Sequence, residues 1–180
     1  MARFWRLVFV LAVAGCASME KAVDYRPKSS REKQAVFRAD REVSPDDVRA
    51  DFHAHERTEI AWAGVIRDIQ FKETERTIQV AFDIEHRGFD WKDHGGSVPY
   101  RLSPEGQGRF VAGWTVDKPA RIDYLRSLAK PGCMILVYGK PYRMADGVIQ
   151  IAATSVRPIK SSDFQTVEAL GAETVIGQNL

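Results

Sequence analysis

The chain has 180 residues, 26 Lys and Arg against 24 Asp and Glu, and 44% apolar residues. That length suits one folded domain with flanking segments, and two cysteines are too few for a disulfide framework. Two of the 26 basic residues, Arg3 and Arg6, lie in the first 15 positions; without them 24 remain against 24, so bulk charge gives no reason to expect a nucleic-acid partner.

Residues 1–15 place arginines before a short apolar run, Leu7 to Ala14, which is too short for a helix across roughly 30 Å of hydrocarbon but suits the apolar part of a signal peptide. Val13-Ala14-Gly15-Cys16 resembles a bacterial lipobox. That resemblance implies cleavage before Cys16, acylation of its sulfur and new amino group, and lasting membrane attachment. Ala17 stands where an aspartate would favour inner-membrane retention, which points to the outer membrane.

From Cys16 to Arg41 the chain is charged and weakly periodic and is expected to be a tether. Ser44-Pro45-Asp46-Asp47 supplies a cap and a first-position proline for a short helical turn. Ile60, Trp62, Gly64 and Ile66 alternate, and Ile69 and Phe71 follow on the other parity, which predicts a strand with a bulge near Arg67-Asp68. After a polar connection at 72–76, Ile78, Val80, Phe82 and Ile84 alternate with polar residues in a second strand. Phe110, Ala112 and Trp114 mark a third. A helix is expected from Arg121 to Lys130, between Pro119 and Pro131-Gly132. Met134, Leu136 and Tyr138 form an apolar face, Gly139 to Gly147 reads as a turn-rich loop, and Val148 to Val156 as a last strand ended by Pro158.

About five strands and one late helix predict a mainly β fold: a small OB-like barrel over 42–160, with an open α+β sheet as the alternative. Residues 161–180 form a tail whose loosely spaced Val167, Leu170, Val175 and Ile176 suit either an amphipathic docking segment or disorder. Cys133, at the entrance to an apolar run, reads as a structural thiol.

Trp62-Ala63-Gly64-Val65-Ile66, Thr77-Ile78-Gln79-Val80, Gly108-Arg109-Phe110-Val111-Ala112 and Ile135-Leu136-Val137-Tyr138-Gly139, following a lipobox, resemble in their order the Slp-like outer-membrane lipoproteins. The resemblance spans Cys16 to about Pro158. It implies a starvation- or stress-associated envelope lipoprotein.

Candidate site residues are few. Imidazoles and carboxylates together hold zinc, and the charged loop offers His86 and His94 with Asp90 or Asp93, although the spacing fits no standard site; surface histidines are the alternative. His53 and His55 would share one side of a strand. Among the aromatic residues, Trp62, Phe110, Trp114 and Tyr138 read mainly as core, whereas Trp91 in Phe89-Asp90-Trp91-Lys92-Asp93 and Tyr142 in the turn-rich loop are candidate ligand contacts. No G-x-S-x-G, P-loop or H-E-x-x-H occurs, so neither enzyme activity nor a cofactor is expected. A membrane-anchored structural or stress-related role is preferred. The alternative is a binding module for an envelope glycan, lipid or partner protein, and the periplasmic location expected for it again argues against nucleic acid.

Overall fold

The computed structural model describes residues 23–117 and 122–167. In chain order the elements are β1 (Val23–Asp24), α1 (Ser30–Arg38), α2 (Pro45–Ala50), α3 (Phe52–His55), β2 (Ile60–Glu73), β3 (Thr77–Arg87), β4 (Lys92–Asp93), β5 (Tyr100–Leu102), β6 (Arg109–Asp117), α4 (Ile122–Leu128), β7 (Met134–Ala145), β8 (Val148–Ile159), a 3₁₀ turn at Ser161–Asp163, and β9 (Phe164–Thr166).

Strands β2-β3-β6-β8-β7 close into a barrel in that order, with β7 returning to β2. All neighbours are antiparallel except β6 and β8, which run parallel from Phe110↔Ile149 to Gly113↔Ala152. The fold is therefore mainly β, a closed five-stranded barrel of the OB type. Closure leaves no barrel strand with an unpaired edge. The expected bulge is present, between Ile66 and Asp68 in the pairing of β2 with β3. Strand β2 pairs with β7 over Ile60 to Val65 and with β3 over Ala63 to Glu73, so Ala63, Gly64 and Val65 are bonded into the sheet on both sides.

Alternation fills the interior. Ile60, Trp62 and Ile66 from β2, Ile78, Val80, Phe82 and Ile84 from β3, Phe110 and Ala112 from β6, Ile135 and Val137 from β7, and Ile149 and Ile151 from β8 form one buried cluster, joined by Leu125 and Ala129 at the end of α4. Helix α2 lies at another margin of this core. Ser44 caps it reciprocally with Asp47, Val48 enters the core, and Arg49 donates to the carbonyls of Gln107 (2.6 Å) and Gly147 (3.2 Å).

Several expectations change here. Helices α1 and α3 precede the barrel in addition to the short turn expected at Ser44, which is α2, and the helix expected after β6. Residues 23–41, expected as tether, are folded: Ser29 caps α1, Ala35 and Glu32 are buried, and β1 pairs with β4. His53 and His55 lie on α3, not on a strand. Gly139 to Gly147 is not one loop, because β7 continues to Ala145 and only Asp146-Gly147 turns, both with positive φ. An Asp-Gly pair suits the tightest hairpin connection. Gly139 is needed for close approach, since a Cβ there would lie 2.4 Å from the Ala152 carbonyl oxygen. Nor does Pro158 end β8, which pairs through it to Ile159. Pro119, Cys16 and tail residues 168–180 lie outside the described residues; the tail's first part forms β9 beside β5, and the Val167 N–H donates to the Leu102 carbonyl at 2.8 Å.

Candidate functional site

The outside of the barrel is dressed unevenly. Along the first half of β2 and the start of β7 both faces are buried: Ala61, Ala63, Met134, Leu136 and Tyr138 point away from the barrel interior into a second apolar cluster with Tyr25, Ala35, Tyr100, Leu102 and Ile159. This cover comes from β1 and α1, from the loop carrying β4 and β5, and from β9. It is fastened by Arg157, whose side chain is only 11% exposed. Its guanidinium donates to the Tyr25 hydroxyl and, at 2.6 Å, to the Tyr100 hydroxyl, lies over both rings, and faces the buried Glu32 carboxylate at 3.5 Å. Glu32 also accepts from the Tyr25 hydroxyl and, at 2.7 Å, from the Lys28 N–H. Burial, followed by the neighbouring Tyr138, pushes the Tyr25 hydroxyl far above its ordinary range, so it stays a proton donor.

This arrangement accounts for Trp91. It is not the free ring of a charged loop: it stands edge-on to Tyr25 (5.7 Å) and Phe89 (4.8 Å), and Arg41 covers it at 5.3 Å. Its charged sequence neighbours conceal that alternate residues of the segment, Phe89 and Trp91, turn inward together. Trp91 is thus corrected from a ligand contact to a packing residue of the cover.

The metal candidates separate likewise. His94 Nε2 meets Asp90 Oδ2 at 2.7 Å, with both groups largely buried, and this pair braces the loop whose backbone bonds run from Asp90 to Arg101 and from His94 to Pro99. His86 is not with them. Its ring lies edge-on to Trp62 (5.9 Å) and beside Phe110 (6.4 Å), and its Nδ1 accepts from the Gln107 N–H at 3.2 Å. Burial first, and then the Arg49 charge, pull its pKa down to about 4, so the ring is neutral near pH 7. Asp93 accepts from the Gly95 N–H instead of approaching a histidine, and His53 faces Glu56 at 3.6 Å in the open. No group of three or more His, Cys, Asp or Glu is placed to hold a metal ion among the described residues. The proposed His86–His94–Asp90 set is therefore corrected: only two of its members meet, and they bind each other.

The opposite half of the barrel is bare. Where β2, β3, β6, β8 and β7 run side by side, their cross-strand registers align Gln70, Ala81, Gly113, Ala152 and Lys140 in one row. Its middle has almost no side chain. A trough of about 470 Å³ lies over it, lined by Gln70, Lys72, Gln79, Trp114, Thr115 and Tyr142 among others. A smaller hollow of about 260 Å³ continues it past Gln70 and Ala81 to Asp83, Arg109 and Val111. Arg109 and Asp83 form a two-bond pair at 2.6 and 3.2 Å along that margin. Tyr142, 57% exposed, donates to Gln150 Oε1 at 3.0 Å. Among the described residues the indole N–H of Trp114 has no acceptor, although the atom is buried.

Gly113 is the informative member of the row. A Cβ there would meet only the Ile151 carbonyl oxygen, at 3.8 Å, an ordinary contact. Glycine inside a strand weakens it and otherwise marks a bend, a bulge or close approach of something else, and here neither bulge nor clash requires it. Of the two ligand-contact candidates, Tyr142 lies at this trough and Trp91 does not. Ala81, Gly113 and Ala152 escape a reading by residue chemistry because they carry none; only the cross-strand register brings them together.

No protein-family model matches the chain, and no curated protein is similar to it. Among solved structures, a small single-stranded DNA-binding protein from Streptomyces coelicolor is similar at 12% identity, over 58% of this chain and 95% of that one, with a TM-score of 0.38. The expectation of no nucleic-acid partner is withdrawn on physical grounds. It rested on formal neutrality and an inferred location, and net charge does not decide what one face of a barrel binds. No helix among the described residues is long and apolar enough to cross a membrane.

Proposed function

We propose that the chain is a lipoprotein anchored through Cys16 at the periplasmic face of the outer membrane, with a non-catalytic accessory role exercised by binding a glycan on the bare half of its barrel. The observation that carries the binding part is the contrast between the two halves. One is wrapped by the chain's own aromatic cover, while the other keeps a glycine its own packing does not need, at the floor of a trough within the roughly 300–1,000 Å³ range of ligand sites. Gln70, Gln79 and Thr115 offer amides and a hydroxyl that can both donate and accept, as sugar hydroxyls require, and the exposed Tyr142 ring offers a stacking face. Support for the anchor comes from residues 1–16, where a short apolar run leads to the lipobox-like Val13-Ala14-Gly15-Cys16.

The test is retention on isolated cell-wall glycan and on a single-stranded oligonucleotide, comparing wild type with Gly113→Phe. Wild type should be retained on the glycan, and Gly113→Phe should abolish that retention. Equal retention of both proteins, or retention on the oligonucleotide alone, rejects a glycan trough. The anchor is tested separately by the mass of the N-terminal peptide recovered from membranes.

A further inference from the structure

Helix α1 turns Ala35 and Glu32 toward the barrel and leaves an outer face with Phe37 91% exposed, a degree no other large apolar side chain approaches among the described residues. Phe37 and Lys33 are one helical turn apart, and with Pro27, Val36, Arg38 and Arg41 they line a shallow concavity of about 740 Å³. Over residues 24–41 the sequence carries six Lys and Arg against three Asp and Glu. All six cations are exposed, whereas Glu32, one of the three anions, is buried against Arg157. The result is an apolar ring set among cations on a chain whose overall charge is close to balanced.

The location of this face identifies its partner. Cys16 precedes Val23 by only seven positions, so even a fully extended connection spans no more than roughly 25 Å. If Cys16 carries lipid, β1 and the helix that follows it are held close to a bilayer surface. We propose that the outer face of α1, with Phe37 at its centre and Lys33, Arg38 and Arg41 around it, docks on anionic phospholipid headgroups of the membrane that holds Cys16. The ring enters the interface and the cations meet the headgroup phosphates, the division of labour of interfacial helices. The inference rests on the lipid-anchor reading.

The experiment uses the full chain purified from membranes, carrying Phe37→Trp, in vesicles containing brominated phospholipids, with and without phosphatidylglycerol; wild-type protein gives the background of the native tryptophans. The expected result is quenching of the added tryptophan in anionic vesicles, reduced at high salt. In the unacylated chain, adding Lys33→Glu and Arg38→Glu should lower affinity for anionic vesicles by at least roughly tenfold. No quenching, equal quenching without phosphatidylglycerol, or a concentration-dependent blue shift without lipid would overturn the proposal, the last because it assigns the face to a second copy of the chain. Mass spectrometry of the same preparation reports acylation of Cys16. If that fails, the anchor reading falls, and the same titration with vesicles added to the unacylated chain still decides whether α1 meets lipid.

Discussion

Substituting alanine at two strand glycines of the barrel should have opposite effects. At Gly113 the new methyl would meet nothing closer than the Ile151 carbonyl oxygen at 3.8 Å, and φ is not positive. The substitution should relieve the strand of glycine's excess unfolded-state freedom and stabilise the protein by about 0.5–1 kcal/mol. At Gly64 the methyl would lie 2.3 Å from the Glu85 carbonyl oxygen and 2.5 Å from Ile84 Cγ2. A backbone oxygen in a closed barrel cannot rotate away, so β2 and β3 must separate locally, at a cost of about 2–3 kcal/mol. With a urea dependence of about 2 kcal/mol per molar, the Gly113→Ala midpoint should rise by about 0.3–0.5 M and the Gly64→Ala midpoint should fall by about 1–1.5 M. Equilibrium urea unfolding followed by tryptophan emission measures both. Should Gly113→Ala destabilise as much as Gly64→Ala, then the barrel itself requires this glycine, and the reason for reading it as the floor of a binding trough disappears.

Other outcomes follow from the cover and the buried histidine. Arg157→Met leaves Glu32 buried without its cation and should cost about 3 kcal/mol, with limited proteolysis cutting first around α1. Trp91→Ala should lower stability by about 2–3 kcal/mol through lost contacts with Tyr25 and Phe89 while leaving glycan retention unchanged, which thermal unfolding and the retention assay check together. The His86 pKa is depressed from 6.5 to about 4, so between these values the unfolded chain binds more protons than the folded one. Its contribution is therefore complete above pH 6.5 and is lost as pH falls toward 4, at most about 3 kcal/mol in all. His86→Gln should flatten the stability profile over that interval.

The barrel was legible in the sequence where one strand face is apolar and the other polar. Ile78, Val80, Phe82 and Ile84 declare β3, and the change of parity between Ile66 and Ile69 declares the bulge that lets β2 turn along the barrel. Where both faces are covered, alternation disappears: Met134 to Gly139 is buried throughout, and nothing local distinguishes interior Ile135 and Val137 from exterior Leu136 and Tyr138. The cover was hidden because its fastening is polar. Glu32 lies in a segment whose composition suggests a solvated tether, and its burial depends on Arg157, 125 positions away. Gly139 and Pro141 resemble turn signals but sit within β7, where register shifts absorb them. Tyr142 was legible as an exposed ring, whereas Ala81, Gly113 and Ala152 beside it carry no side-chain chemistry from which their alignment could be read.

The most direct test of the binding face is a titration of isotope-labelled protein with a soluble cell-wall glycan fragment, followed amide by amide. Shifts should be confined to Gln70, Ala81, Gly113, Thr115, Tyr142 and Ala152, with the cover around Trp91 undisturbed. Shifts centred on Trp91 and Tyr25, or none at the trough at saturating glycan, would contradict the glycan site.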